Sequence, residues 1–124
     1  MNMNSGVEVG EQLVAELFVR DVAASAAFYR NLGFMEARRT PTFAVMRFEE
    51  SLLFLAKRDG LGGVPAKPSM SVRVVVADVD ERWAKAQAAG LIVFEPIADR
   101  EYGLRDFTLI DPDGFGVRVG SFLK

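Results

Sequence analysis

The chain has 124 residues, of which half are hydrophobic, so it can bury the core of one domain. Its formal net charge is only −2, and no basic stripe or run of like charge suggests a nucleic-acid partner. It contains no cysteine and no histidine, which excludes disulfides, thiolate chemistry and the commonest metal-binding side chain.

Residues 1–6 have neither the basic start nor the apolar centre of a signal peptide, so none is expected. The first ten residues are expected to form a frayed lead-in. No apolar run reaches the roughly 18 residues that a membrane span requires. We therefore expect a cytoplasmic protein without a membrane partner, and a single domain over residues 1–124.

The first half, residues 11–58, begins with an apolar strand at 13–19. Asp21 is expected to cap a helix over residues 23–32, with Gly33 ending it in a left-handed conformation. Residues 43–48 and 52–55 are predicted strands, joined by a polar hairpin turn. Residues 59–69 are rich in glycine and proline and form the predicted linker between the halves.

The second half, residues 70–122, repeats this order with a strand at 70–76 and a helix that ends at Gly90. Asp78 and Glu81 have the spacing of a capping box at the start of that helix. Residues 91–94 form a short predicted strand, and 107–110 and 115–119 two more. The intervening segment 111–114, Asp-Pro-Asp-Gly, is a strong turn signal.

The two halves are similar to each other at an offset of 57 residues. The matches fall on strand, helix and stop positions alike: Val19 with Val76, Asp21 with Asp78, Val22 with Val79, Ala27 with Ala84 and Gly33 with Gly90. Such a duplication predicts a domain of two related modules. Each module reads β-α-β-β, with room for one more strand, so the predicted class is α+β.

Two segments resemble those of a known superfamily. Residues 19–34, VRDVAASAAFYRNLGF, and 102–120, YGLRDFTLIDPDGFGVRVG, are similar to motifs of the glyoxalase, bleomycin-resistance and extradiol-dioxygenase proteins, also called vicinal oxygen chelate proteins. The resemblance implies two βαβββ modules that pair into a cup-shaped mixed sheet with helices outside. It also implies a homodimer, with a small-molecule ligand in the cup.

The resemblance further implies four metal-ligand positions, and none of them carries a suitable residue here. They fall on Val14, Ser71, Arg118 and the segment 53–55, Leu-Phe-Leu. A serine hydroxyl is a poor ligand and a guanidinium repels a divalent cation. The resemblance therefore favours the branch of bleomycin-resistance proteins that binds a drug without chemistry, and no metal or other cofactor is expected.

Strand alternation then predicts which side chains face the cup. If Val14 and Ser71 face the cup, then Glu16, Phe18 and Arg73 face it too, because alternate residues of a strand point to the same side. The position of Arg118 in the family motif implies that it also faces the cup. One alternative is that Glu16 forms a structural ion-pair trio with Arg73 and Arg118. The other is that the two arginines bind an anionic or carbonyl group of a ligand, while Glu16 accepts a hydrogen bond from a donor group of the same ligand. Glu16 as a catalytic base is opposed by the nearby cations.

Aromatic residues complete the predicted ligand-binding set. Phe54, Tyr102 and Phe107 are candidates for an aromatic pocket wall, with packing in the core as the alternative. Arg105 either turns inward to the ligand or forms an exposed ion pair at the rim. Trp83 is expected on the core face of the second helix.

Three functions are compatible with these patterns. The first is metal-free binding and sequestration of an antibiotic or metabolite. The second is a glyoxalase-type lyase, isomerase or dioxygenase whose metal is bound by displaced carboxylates such as Glu16, Glu101 or Asp106. The third is an interaction module whose cup is filled by its own side chains.

Overall fold

A computed structural model describes residues 11–124, so the expected lead-in at residues 1–10 lies outside the described residues. The described part divides into two compact units, one ending at Leu61 and the other beginning at Gly62. The first contains β1 (Ala15–Val19), α1 (Val22–Asn31), β2 (Met35–Thr40), β3 (Phe43–Phe48) and β4 (Ser51–Lys57). The second contains β5 (Ser71–Val75), α2 (Val79–Ala88), β6 (Ile92–Asp99), β7 (Leu104–Ile110) and β8 (Gly116–Phe122). The predicted α+β class is confirmed.

The first unit is a four-stranded mixed sheet in the order β1-β4-β3-β2. Strand β1 pairs in parallel with β4, and the other neighbours are antiparallel. Alternate residues of β1 and β4, such as Leu17 and Leu55, are fully buried. Helix α1 packs on the sheet through the face that is buried at Val22, Ala26 and Tyr29.

The second unit repeats this arrangement in the order β5-β8-β7-β6, again with one parallel pair, β5 with β8. Helix α2 packs against β7 and β8. Trp83 lies on its core face as predicted, with its ring centroid 5.0 Å from that of the fully buried Phe107. The valines of β8, Val117 and Val119, are buried as well.

The two helices begin differently, although their sequences suggested the same cap. Asp21 caps α1 as predicted, because its Oδ1 accepts a hydrogen bond from the Ala24 amide at 3.1 Å. Asp78 makes no such bond, so the predicted capping box of α2 is wrong. Its carboxylate accepts instead from Arg82 Nε at 3.0 Å, one turn along the helix. This ion pair holds the pKa of Asp78 below its ordinary value.

Two edge strands differ from the prediction. Strand β2 was missed, since its sequence MEARRT is mostly polar and lacks the apolar alternation of a half-buried strand. Strand β6 runs on to Asp99, five residues past the predicted end at 94, and it includes Pro96. A register shift between Glu95 and Ala98 accommodates the proline at the sheet edge.

The helix ends and the turn before β8 lie where the sequence predicted them. Gly33 and Gly90 have φ angles of +96° and +70°, so both helices end at the predicted glycines, and Gly33 has the expected left-handed conformation. The 111–114 turn is also present, with Asp111 Oδ1 accepting from the amides of Asp113 and Phe115 at 2.9 Å. Over residues 11–124, neither helix is long and apolar enough to cross a bilayer.

Candidate functional site

Strand β8 gives the second sheet one apolar and one polar face. Its sequence Gly116-Val117-Arg118-Val119-Gly120 buries the two valines and turns Arg118 to the opposite side of the sheet. The register puts Arg73 of β5 and Thr108 of β7 beside Arg118, and Asp106 beside Gly120. We call the side of the sheet that carries Arg73, Asp106, Thr108 and Arg118 the polar face.

The glycines on either side of Arg118 provide space on the polar face. A Cβ atom at Gly120 would lie 2.8 Å from Asp106 Cβ and 3.1 Å from the Arg105 carbonyl oxygen. A Cβ at Gly116 would lie 3.0 Å from Ser71 Cβ. Neither glycine has a positive φ angle. Close approach, rather than an unusual backbone conformation, therefore explains both, and Gly120 makes room for the Asp106 side chain.

Asp106 is the buried centre of a hydrogen-bond network on this face. Its side chain is 1% exposed. Oδ1 accepts from Arg100 Nε at 2.8 Å, and Oδ2 accepts from the Tyr102 hydroxyl at 2.6 Å. The Tyr102 hydroxyl in turn accepts from Arg118 Nη1, and Arg118 Nη2 donates to Glu95 Oε1 at 2.7 Å. Both oxygens of Asp106 are thus paired, as a buried carboxylate requires.

The network shifts the pKa values of two of its members, Arg100 and Tyr102. The hydrogen bond to Asp106 raises the pKa of Arg100, so this guanidinium stays charged. The pKa of Tyr102 is raised first by desolvation of its hydroxyl, although 52% of the residue is exposed, and second by its hydrogen bond to Asp106, with the positive charge of Arg118 acting in the opposite direction. At neutral pH the tyrosine is therefore a neutral donor to the carboxylate.

Arg118 keeps unused hydrogen-bonding capacity. A guanidinium has five N–H donors, and the hydrogen bonds to Tyr102 and Glu95 use two of them. Its Nε atom is buried and has no hydrogen-bond partner among the described residues. A buried donor without a hydrogen-bond partner is costly, so the Nε atom of Arg118 is an unsatisfied polar group in this face of the sheet.

Arg73 adds a further positive charge beside this network. Within residues 62–124 its guanidinium makes no ion pair, and it lies 5.6 Å from the centroid of the Tyr102 ring. Arg118 lies 5.8 Å from the same centroid. Three guanidinium groups (Arg73, Arg100 and Arg118) face two carboxylates (Glu95 and Asp106), which leaves the cluster with a net charge of +1.

A groove of about 260 Å³ opens next to the cluster. Its walls combine apolar and polar side chains from β5, β6, β7 and β8 and from the segment before β5. They are Pro68, Ser69, Met70, Ser71, Phe94, Thr108, Gly116 and Arg118. Met70 and Phe94 are nearly half exposed, at 45% and 44%. Thr108 donates to Glu95 Oε1 at 3.2 Å, which ties the groove to the network.

Of the residues predicted from sequence to bind a ligand, the structure brings Arg73, Tyr102 and Arg118 together. It separates Arg105 and Phe107 from them, because β7 turns both toward the helix side of the sheet. Phe107 is packed on α2, as the core alternative proposed. Arg105 forms ion pairs with Asp80 at 2.9 Å and Asp99 at 3.1 Å, which raise its pKa. Of the two alternatives for Arg105, the structure shows the exposed ion pair and not the inward orientation.

The other three predicted residues belong to the first unit and share one side of its sheet. Glu16 and Phe54 are register partners on β1 and β4, and Phe18 follows Glu16 at the same parity. Phe18 is 44% exposed and lies under the Arg58 guanidinium, 4.5 Å from its ring centroid. The rings of Phe54 and Phe43 are 5.3 Å apart. This side of the sheet is thus partly open and aromatic, and Glu16 and Phe18 share it, as strand parity predicted.

Sequence reasoning missed Glu95, Arg100 and Thr108, and it considered Asp106 only as a rim residue or a displaced metal ligand. The signal for Asp106 and Thr108 was the alternation in β7, which opposes them to Phe107 and Leu109. Glu95 had no such signal, because the predicted strand ended at residue 94 and left Glu95 outside it. Arg100 and its bonds to Asp106 and to the Pro96 carbonyl oxygen depend on the fold of the β6–β7 hairpin.

The residues at the metal positions of the resembled family do not suit a metal. Arg118 carries a positive charge there, Ser71 offers a weak hydroxyl, and Val14 and the segment 53–55 offer no donor atom. Asp106, a candidate for a displaced site, has both oxygens engaged by Arg100 and Tyr102. Nowhere in residues 11–124 do three or more acidic side chains cluster as a metal site would need. The side chains at these positions therefore do not suit the binding of a metal ion.

Solved structures share this fold. The chain superposes with a TM-score of 0.75 on a glyoxalase/bleomycin resistance protein/dioxygenase family enzyme from Burkholderia phytofirmans PsJN. The two are 22% identical, over 89% of this chain and 97% of that one. A bleomycin-binding protein in complex with bleomycin gives a TM-score of 0.71 at 24% identity, with 90% and 98% covered. TioX from Micromonospora sp. ML1 gives the same score and identity, with 92% and 100% covered.

At these identities the likeness to solved structures concerns the fold alone. No curated protein matches the sequence. The family model described as "Glyoxalase/Bleomycin resistance protein/Dioxygenase superfamily" matches residues 12–119, nearly the whole chain. The duplicated βαβββ order and this match agree, and the chain belongs to the glyoxalase/bleomycin resistance protein/dioxygenase superfamily.

Proposed function

We propose that this chain binds a small organic molecule, an antibiotic or a metabolite, in the groove of its second unit without a metal ion. One observation carries the proposal. At the last-strand metal position of the family, Arg118 lines the groove and its guanidinium is held by Glu95 and Tyr102. A fixed cation with unused donors can bind a ligand, while it opposes the binding of a divalent metal at the same place.

The composition of the groove supports a binding role. Ligand sites usually combine apolar walls with a few oriented polar groups. Here Met70 and Phe94 supply apolar surface, and Thr108 and Arg118 supply polar groups whose orientation is fixed by Glu95. The bleomycin-binding protein of the same fold supports this reading, because its structure contains bleomycin. Sequestration requires affinity alone and no stabilised transition state.

The alternative, a lyase or dioxygenase with a displaced carboxylate metal site, finds less support. Of its three candidate ligands, Asp106 is buried and doubly hydrogen-bonded, so binding a metal would break its bonds to Arg100 and Tyr102. The third alternative, a cup filled by its own side chains, is opposed by the half-exposed Met70 and Phe94 in the groove.

The first test measures ligand-induced thermal stabilisation of the untagged chain against a panel of small aromatic compounds, with and without a strong chelator. A ligand at about 100 times its Kd stabilises the folded state by about 2.7 kcal/mol, and we expect the chelator to leave this shift unchanged. Loss of the shift on chelation, with recovery on adding a divalent metal, would contradict metal-free binding.

Variants connect the shift to the groove. Arg118→Ala should abolish it, but this change also removes the partner of Glu95 and destabilises the chain. Phe94→Ala is the cleaner variant, because Phe94 is 44% exposed on an edge strand. It should weaken the ligand-induced shift while leaving the melting temperature of the free chain nearly unchanged. If the ligand-induced shift were undiminished in both variants, the ligand would bind outside this groove.

We further propose that the chain is a homodimer, as the family resemblance implies. Several large apolar side chains of the described residues are more than 60% exposed, and such surface is typical of a contact with another molecule. They are Leu13, Met35, Ile92 and Phe122. The contribution of Glu16, Phe18 and Phe54 to ligand binding stays a prediction.

A further inference from the structure

We infer that the ligand is a small aromatic monocarboxylate, held through its carboxylate by Arg73 and Arg118 and through its ring by Phe94. This inference rests on the proposed function and specifies its ligand. Three independent features of the second unit carry it: the charge of the polar face, the free donors of two arginines and the size of the groove.

The charge argument begins with the register of β5 and β8. Arg73 and Arg118 are direct partners in this parallel pair, so two like charges lie side by side on one face of the sheet. Like charges in such a position are destabilising unless they are compensated. Glu95 and Asp106 compensate Arg118, at 2.7 Å and 3.7 Å, whereas within residues 62–124 Arg73 has no carboxylate partner. One further negative charge would balance the cluster, so a monoanion fits better than a dianion.

The donor argument concerns the kind of anion. Arg73 has its five N–H donors available within its unit, and Arg118 has one further N–H on each of Nη1 and Nη2, while its Nε is buried. Guanidinium groups bind planar acceptors such as carboxylates through paired, charge-assisted hydrogen bonds. Arg118 lines the groove, and Arg73 lies outside its lining as the register partner of Arg118 on β5. The two guanidinium groups are 5.6 and 5.8 Å from the centroid of the Tyr102 ring, so a carboxylate at the end of the groove next to Arg118 is on the side of the sheet that carries Arg73.

The size argument concerns the rest of the ligand. The groove volume of about 260 Å³ lies below the roughly 300–1,000 Å³ of pockets that take drug-sized molecules. Phe94 and Met70 each leave about half of their surface open beside it. A flat ring can stack on Phe94 and contact the thioether of Met70, which are favourable pairings for an aromatic group. The groove therefore suits one ring better than a large antibiotic.

The test compares three probes of similar shape and different charge by isothermal titration calorimetry: benzoate, the neutral benzamide and the cationic benzylamine. We expect benzoate to bind about ten-fold or more tightly than either of the others, because only it can accept charge-assisted hydrogen bonds from both arginines. Arg73→Gln should weaken benzoate binding about ten-fold and leave benzamide binding unchanged.

Arg105→Gln is the matched control, because it removes one positive charge from the opposite side of the same sheet. It should leave benzoate binding unchanged. Arg73→Lys keeps the charge and loses the planar fork, so it should give an affinity between those of the wild type and Arg73→Gln. Arg73 is exposed, and we expect both variants at this position to keep the melting temperature of the free chain.

Each other outcome has a defined meaning. Equal binding of the three probes, or the same loss in Arg105→Gln as in Arg73→Gln, would overturn the carboxylate inference and leave the proposed binding function intact. Inorganic phosphate that binds as tightly as benzoate would also overturn it, since the site would then be a general anion site. A chain that no compound of the wider panel stabilises would overturn the proposed function itself.

Discussion

Tyr102 connects two oppositely charged groups through one hydroxyl, which accepts from Arg118 and donates to Asp106. Its donation requires the neutral form of the phenol. Desolvation of the hydroxyl and its hydrogen bond to the carboxylate both favour that form, so the pKa of Tyr102 lies above its ordinary value. A single side chain therefore holds a buried acid and a guanidinium of the groove in fixed positions.

We expect Tyr102 to titrate above about 10, the ordinary pKa of tyrosine. Because its pKa is raised on folding, its contribution to stability is complete below the pKa of the unfolded chain and falls as pH rises toward the folded pKa. The difference in tyrosinate absorbance between the wild type and Tyr102→Phe measures this pKa, with Tyr29 present in both. A Tyr102 pKa at or below the ordinary value would show that the hydroxyl does not donate to Asp106.

Gly120 offers a second test at the scale of one residue. A methyl group there would meet Asp106 Cβ at 2.8 Å and the Arg105 carbonyl oxygen at 3.1 Å, both in the neighbouring strand. Gly120→Ala should therefore destabilise the chain by about 1–3 kcal/mol in chemical denaturation, as overpacking does. Gly63→Ala is the control, because a Cβ at Gly63 meets nothing within 4 Å. Equal stabilities of the two variants would contradict the crowding at Gly120.

The two helices of the described residues show how one sequence pattern can have two structural outcomes. Asp21 and Asp78 occupy equivalent places in the repeat, and both precede a valine that is buried in its helix. Asp21 caps its helix through the Ala24 amide. Asp78 has an arginine one turn ahead, and the carboxylate pairs with that cation in place of the backbone.

The difference between the caps predicts unequal effects of the same substitution. Asp21→Ala should lower the free energy of unfolding by about 0.5–2 kcal/mol, as the loss of an N-cap does. Asp78→Ala removes a partly exposed i,i+4 ion pair and should cost clearly less than Asp21→Ala, because surface ion pairs contribute little to stability. Urea denaturation of both variants at neutral pH measures the two effects. A larger loss for Asp78→Ala would mean that its carboxylate caps the helix after all.

The strands that the sequence predicted are the ones with apolar alternation or turn signals on both sides, such as β3 and the β7–β8 hairpin. The two edge strands were harder for a physical reason. An edge strand tolerates polar residues and even proline, so the sequences of β2 and of the end of β6 resemble those of loops. The error at β6 hid Glu95, and with it the main partner of Arg118.

At the scale of the whole molecule, the proposed dimer can be tested directly. Sedimentation equilibrium should give twice the chain mass of 13.6 kDa at micromolar concentration. Phe122→Ser, at a position that is 70% exposed, should leave the fold intact and shift the equilibrium toward monomer. A chain that stays monomeric at the highest soluble concentration would contradict the dimer.

The sequence by itself determined the duplicated architecture, the α+β class and the family, because strand periodicity, helix stops and turn residues are local properties that the chain repeats at a 57-residue offset. It also gave Arg73, Tyr102 and Arg118 as candidates. Only the tertiary structure decided which charges meet. The register of four strands pairs Arg118 with Glu95 and buries Asp106 between Arg100 and Tyr102, while Arg105 and Phe107 turn to the helix side. Strand register depends on contacts between distant residues, which local pattern does not encode.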